Sequence, residues 1–112
     1  MKVTCFIEYE IDPHKLELFK NYAERWANVI PACGGTLEGY FLPHEGSNYT
    51  AYGLISFSSL AEYEQYRRRL KADPEGSDNF EFAQLHQFIR KERRTFLTVV
   101  PESYRRAAQV SQ

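Results

Sequence analysis

The sequence is poor in cysteine and in long apolar runs. Its two cysteines, Cys5 and Cys33, are too few for a disulfide framework, and no metal-ligand spacing accompanies them, so we expect no metal site. No stretch approaches the roughly 20 apolar residues that a membrane span requires, and the amino terminus lacks the apolar core of a signal peptide. These absences favour a reducing, cytoplasmic setting.

An excess of positive charge is also missing. The formal net charge is -1 and the sequence pI is near 6.3, which argues against a nucleic-acid partner, since such a partner requires a strongly basic face. Basic residues cluster at 67–71 and 90–94, but glutamates lie near both clusters. We interpret both as solvated faces.

Aromatic residues are abundant instead. They make up 15% of the chain, with eight Tyr and eight Phe, which predicts an aromatic core or pocket. The length of 112 residues suits one domain. We expect that domain to span residues 1–100, and residues 101–112 to form a polar, poorly ordered tail.

Strand and helix patterns alternate along the chain. Val3–Ile11 alternates as a strand, and Asp12-Pro13 caps a helix whose apolar stripe runs from Leu16 to Ile30, before Pro31. The later predicted elements are strands at Thr36–Pro43 and Thr50–Phe57, a helix capped at Ser59, a helix from Glu75 to about Phe88 that Asp73-Pro74 caps, and a strand at Arg90–Val100.

The pattern of the first half recurs in the second. Leu16, Phe19, Tyr22 and Trp26 recur at equal spacing as Leu60, Tyr63, Tyr66 and Leu70. Two strand-helix-strand units with right-handed crossovers predict an α+β, ferredoxin-like fold: a four-stranded antiparallel sheet with helices on one face. The usual strand order of that fold is 4-1-3-2.

The sheet face opposite the helices is then strongly apolar. By strand alternation we place on it Phe6, Tyr52, Leu54, Phe96 and Val100. An exposed patch of this kind marks an interface or a ligand groove. We therefore predict a homodimer in which two sheets cover each other.

Several motifs at fixed spacing resemble the NIPSNAP-like proteins. They are Gly39-Tyr-Phe, Gly46-Ser-Asn48, Tyr52-Gly-Leu-Ile-Ser-Phe57 and Ser59-Leu-Ala-Glu-Tyr63. The resemblance extends from Val3 to about Val100 and implies a dimeric α+β barrel, whose wider superfamily includes cofactor-free monooxygenases, haem-degrading enzymes and small isomerases. At Gly53 the sequence departs from the family, which often has a His there.

His44-Glu45 lies between two predicted strands. One interpretation is a general acid/base pair, with His44 as the candidate catalytic residue. The other is a solvated hairpin tip, because neighbouring residues of an extended segment point to opposite faces.

Four residues are candidates for ligand binding. Glu8 and Arg94 share the open face in the predicted alternation and would pair across neighbouring strands, either as a polar anchor for a ligand or as a structural ion pair. Tyr40 and Tyr52 could bond a phenolic ligand or simply pack across the strands.

Two functions remain open from the sequence. One is a cofactor-independent monooxygenase or isomerase acting on a hydrophobic or phenolic molecule, which needs only a base, a dry cavity and orientation. The other is a non-catalytic module that binds a small molecule or a partner. An open cavity with His44 or Glu8 at its wall would favour the enzyme, and an interior filled by side chains would argue against it.

Overall fold

The computed structural model describes residues 2–103, 105, 107 and 108. The strands are β1 (Val3–Ile11), β2 (Thr36–Phe41), β3 (Thr50–Phe57) and β4 (Ile89–Leu97), and the helices are α1 (Leu16–Ala32), α2 (Leu60–Ala72) and α3 (Pro74–His86). Short 3-10 turns occupy Pro13–Lys15 and Pro101–Ser103.

The four strands form one antiparallel sheet in the order β2-β3-β1-β4, which is the predicted order. The alternating burial of β1 places Cys5, Ile7 and Tyr9 against the helices. The ferredoxin-like α+β fold is therefore confirmed. We call the other side of the sheet the open face.

Side-chain caps start the helical segments where the sequence predicts them. The Asp12 carboxylate accepts from the His14 N–H, Ser59 Oγ from the Glu62 N–H at 3.1 Å, and Asp73 Oδ1 from the Gly76 N–H at 3.0 Å. Helix α1 continues one residue beyond Pro31, because the Cys33 N–H still bonds the Val29 carbonyl at 3.0 Å.

The core lies between the sheet and the three helices. Phe19 and Phe88 are fully buried in it, with ring centroids 6.2 Å apart and edges facing faces. Trp26 is also buried. None of the helices in the described residues is long and apolar enough to cross a membrane.

The predicted alternation of inward and outward side chains in β4 is wrong, because the strand contains a bulge. Ile89 lies opposite Ile11, but Lys91 lies opposite Glu10, so Arg90 is an extra residue in a β-bulge. A bulge of one residue moves every later side chain to the other face. Phe96 therefore faces the helices and packs on Tyr63, with ring centroids 4.8 Å apart.

The same bulge shows that the predicted pairing of Glu8 with Arg94 is wrong. Arg94 lies opposite Ile7 and points toward the helices, whereas Arg93 lies opposite Glu8 on the open face. Arg93 Nε lies 3.8 Å from Glu8 Oε2.

The carboxyl-terminal boundaries also differ from the prediction. Strand β2 ends at Phe41, and β4 ends at Leu97, so Val100 lies beyond the sheet. In the predicted tail 101–112, residues 104, 106 and 109–112 lie outside the described residues.

Candidate functional site

A second β-bulge turns Tyr40 toward the helices. Leu37 lies opposite Ile55 and Gly39 opposite Leu54, so Glu38 is the extra residue of β2. Gly39 follows it with a φ of 148°, a conformation that side-chain-bearing residues rarely adopt. Tyr40 then lies opposite Gly53, on the buried face.

Tyr40 is one of several aromatic residues around a small inner cavity between sheet and helices. The cavity has a volume of about 20 Å³, and its lining includes Tyr9, Tyr22, Trp26, Tyr40 and Tyr66. That is room for about one water molecule and not for an aromatic ring. Side chains therefore fill the interior.

An outer cavity of about 360 Å³ adjoins the inner one, with Gln84 and Gln87 from the end of α3 and Glu92 from β4 in its lining. Four residues line both cavities: Tyr22, Arg67, Phe80 and Arg94. The volume is within the range of small-molecule sites. We call this outer cavity the vestibule.

The inner tyrosines stay protonated at neutral pH. Burial raises the pKa of Tyr22 to about 12, with smaller and partly cancelling effects from neighbouring groups. Burial likewise raises the pKa of Tyr9, Tyr40 and Tyr66 above the usual value. Their hydroxyl groups are therefore hydrogen-bond donors and poor bases.

Arg94 provides a permanent positive charge where the two cavities meet. Its side chain is 29% exposed, and its Nη2 atom lies 3.5 Å from Glu92 Oε2. Burial acts to lower the pKa of Arg94, but the Glu92 carboxylate acts against it, and the net effect is a raised pKa. The vestibule thus combines cationic and neutral donors with one carboxylate.

The structure brings together two of the five predicted site residues. Arg94 and Tyr40 both line the inner cavity. Tyr52 and Glu8 lie on the open face, where Tyr52 stacks on Phe6 at a centroid distance of 5.5 Å. His44 is exposed in the loop between β2 and β3 and lines neither the inner cavity nor the vestibule.

Sequence reasoning missed Arg67 and Glu92 as site residues. Arg67 belongs to a run of three arginines on α2, and it follows the buried Tyr66. The one indication in the sequence that Arg67 lies near the core was its position next to Tyr66, a residue of the apolar stripe. Glu92 could not be placed without the Arg90 bulge.

The open face carries a groove of its own. It has a volume of about 440 Å³ between Leu54 and the end of β4, with Thr4 and Glu38 also in its lining. Beside it, Ser56 Oγ donates to Glu38 Oε2 at 3.2 Å and lies 2.9 Å from Thr4 Oγ1. In the described part of the chain, no three His, Cys, Asp or Glu residues gather as metal ligands.

Solved structures of other proteins share this fold. Protein Atu4242 from Agrobacterium tumefaciens has a TM-score of 0.76 at 20% identity, with 86% of this chain and 91% of that chain covered. An uncharacterised NIPSNAP-like domain protein from Burkholderia xenovorans has a TM-score of 0.74 at 20% identity, covering 99% and 95%.

A protein from Nitrosomonas europaea, whose name proposes an antibiotic biosynthesis monooxygenase, has a TM-score of 0.67 at 10% identity, covering 89% of this chain and 99% of that chain. At these identities the likeness shows the fold alone. None of the curated proteins compared with the chain matches it. The sequence model of the NIPSNAP family matches residues 4–104. The chain therefore belongs to the NIPSNAP family.

Proposed function

We propose that the protein binds a small hydrophobic or phenolic molecule in the vestibule. The observation that carries this proposal is that the vestibule and the inner cavity meet at Tyr22, Arg67, Phe80 and Arg94. Two aromatic rings and two cations there offer apolar contact together with hydrogen-bond donors. Such a combination is typical of small-molecule sites.

Binding is better supported than catalysis. The interior is filled, and His44 lines neither the inner cavity nor the vestibule. Glu8 lines a different cavity, an open groove of about 490 Å³ at the charged end of the open face and not a dry interior, and its charged neighbours there include Glu10, Lys91 and Arg93. The raised pKa of Tyr22 and of the other inner tyrosines removes them as bases near neutrality. A binding function needs only hydrogen-bond donors, which the protonated tyrosines and the arginines provide.

A cofactor-independent monooxygenase is the second candidate, and Glu92 favours it. Glu92 is the carboxylate in the vestibule lining, and it could accept the proton of a phenolic hydroxyl. The resulting electron-rich anion would be the species that reacts with molecular oxygen. An isomerase that uses the same base fits equally well.

Ligand titration tests the binding proposal. We expect 2-naphthol to bind in isothermal titration calorimetry. Ala83→Phe, which adds a ring to the vestibule wall, should weaken that binding at least about tenfold. Ala61→Phe on the exposed side of α2 is the matched control and should bind normally. Absence of binding to the unaltered protein would refute the proposal.

Oxygen uptake separates the two candidates. With 1,4-naphthalenediol as substrate, an enzyme should consume oxygen faster than the uncatalysed background, and Glu92→Gln should abolish the excess. A binding module should leave the background rate unchanged.

We further propose that the protein is a homodimer joined through its open faces. Phe41 and Leu97 are 50% and 44% exposed, beside the stacked Phe6 and Tyr52. The charges at the other end of the face, those of Glu8, Glu10, Lys91 and Arg93, sum to zero, so two copies would not repel each other.

We also propose a cytoplasmic setting for the chain. The thiols of Cys5 and Cys33 are both free, which agrees with a reducing compartment.

Sedimentation tests the assembly. The unaltered protein should have about twice the 13.1 kDa chain mass. Leu54→Asp on the open face should give a folded monomer, because a dimer would bury an unpaired charge. Leu85→Asp, at a side chain that is 77% exposed on α3, is the control and should remain dimeric. A monomeric unaltered protein would contradict the proposal.

A further inference from the structure

We infer that the vestibule selects a ligand with a carboxylate group, held by Arg67 and Arg94, and that Glu92 takes the place of that carboxylate when the ligand is absent. This inference rests on the proposed binding function and names its ligand class. It starts from the charges that face the vestibule. Two arginines and one glutamate leave an excess of one positive charge there.

The arginine donors are largely unused. Within the described residues, the Arg67 side chain makes no ion pair and no hydrogen bond, although the residue is partly buried. Arg94 has one ion pair, to Glu92, and its guanidinium also lies beside the Cys5 thiol, where it acts to lower the pKa of that thiol against the larger effect of burial. A guanidinium has five N–H donors in a fork that matches a carboxylate.

The positive charges of Arg67 and Arg94 both act on the buried tyrosines. Arg94 and Arg67 both act to lower the pKa of Tyr66, against the larger effect of burial, and both act in the same direction on Tyr22. Charges directed only into solvent would be screened from these buried phenols. An anion in the vestibule would therefore lie close to both arginines.

The remaining walls indicate what the carboxylate is attached to. Tyr22 and Phe80 face the vestibule beside Ile89, and Trp26 packs on both Tyr22 and Phe80, with ring centroids 5.6 Å and 5.1 Å away. An aromatic ring can pack there while its carboxylate reaches the arginines. The excess of one positive charge suits a singly charged acid better than a phosphate.

Glu92 acts as an internal competitor in this arrangement. Its carboxylate is 34% exposed and lies two residues from Arg94 on the same strand face. A partly exposed pair at 3.5 Å contributes little to stability, so an incoming carboxylate can displace it at low cost. Glu92→Gln should therefore strengthen binding of a carboxylate ligand.

Two ligands of nearly the same shape, one charged and one neutral, test the inference. In calorimetric titrations of the unaltered protein, 2-naphthoate should bind at least about tenfold more tightly than its neutral amide, 2-naphthamide. Arg67→Gln should remove most of that difference. Glu92→Gln should raise affinity for naphthoate by up to about fivefold and leave naphthamide unchanged. Glu81→Gln, at an exposed site on α3, is the control and should change neither.

The outcomes separate this inference from the proposed function. Equal binding of naphthoate and naphthamide would overturn the carboxylate inference and leave the binding function standing, and so would tighter binding of inorganic phosphate than of naphthoate. If none of the naphthalene compounds binds, 2-naphthol included, both fall. Arg94→Gln should also reduce the preference for naphthoate over naphthamide. If that variant does not fold, Arg67→Gln and Glu92→Gln still decide the question.

Discussion

The ring of Tyr40 lies directly against the backbone of Gly53. A methyl group on Gly53 would lie 2.8 Å from Tyr40 Cε1, which is closer than a Cβ atom approaches another heavy atom in real proteins. Tyr40 cannot easily move away, because its ring centroid lies 6.2 Å from those of Tyr9 and Phe19. The space that a side chain at position 53 would need is thus taken by the Tyr40 ring from the neighbouring strand.

Gly53→Ala should therefore lower the free energy of unfolding by about 1–3 kcal/mol, as expected for overpacking. Urea denaturation measures the loss. In a Tyr40→Leu background the same substitution should cost much less, since the ring that it strikes is gone. Equal costs in the two backgrounds would show that the ring and the glycine are not coupled.

Alkaline pH should unfold the protein through its buried tyrosines. The folded-state pKa of Tyr22 is about 12, above the ordinary value of 10.0, so its contribution to stability is complete below pH 10 and is lost between pH 10 and 12. The pKa values of Tyr9, Tyr40 and Tyr66 are also raised by burial. Tyrosinate absorbance should rise together with the loss of circular dichroism.

Tyr22→Phe is the check on that assignment. It removes one shifted group, so stability should fall less steeply with pH above 10 than in the unaltered protein. An identical slope would mean that Tyr22 ionises without unfolding.

Glu8 should matter little for stability. Its partner Arg93 is 80% exposed, and such surface pairs contribute about 0–1 kcal/mol. Glu8→Gln should change the free energy of unfolding by no more than that in chemical denaturation. A double-mutant cycle between Glu8 and Arg94 should give no coupling, because the two side chains point to opposite faces. Strong coupling would require a different register of β4.

His44→Ala should leave both stability and ligand binding unchanged. The side chain is exposed in the loop and lines neither cavity, so thermal unfolding should shift by less than the equivalent of about 0.5 kcal/mol. The affinity for 2-naphthol should equal that of the unaltered protein. A normal melting temperature with lost affinity would show that the loop folds over the vestibule.

Local chemistry made much of the fold predictable. The alternation of Val3–Ile11 and the caps at Asp12, Ser59 and Asp73 depend only on neighbouring residues, and the structure confirms them. The strand order followed from the repeat of the strand-helix-strand unit.

The candidate site was less predictable because both edge strands contain an extra residue. Simple alternation from the core residue Ile89 puts Arg94 on the open face, and only the bulge at Arg90 returns it to the cavity. On α2, helical spacing alone did not distinguish Arg67 from Arg68, since the reach of an arginine depends on the packing of α2 against α3.

The bulges at Glu38 and Arg90 also bear on how this sequence should be aligned with those of its relatives. A relative that lacks a residue at either position can pair regularly and keep the same side chains on the same faces. A gap placed further along would exchange inward and outward side chains over the residues between the bulge and that gap. Alignment gaps in β2 and β4 therefore belong at Glu38 and Arg90, because a gap placed beyond Tyr40 or Arg94 would align that residue with one from the other face.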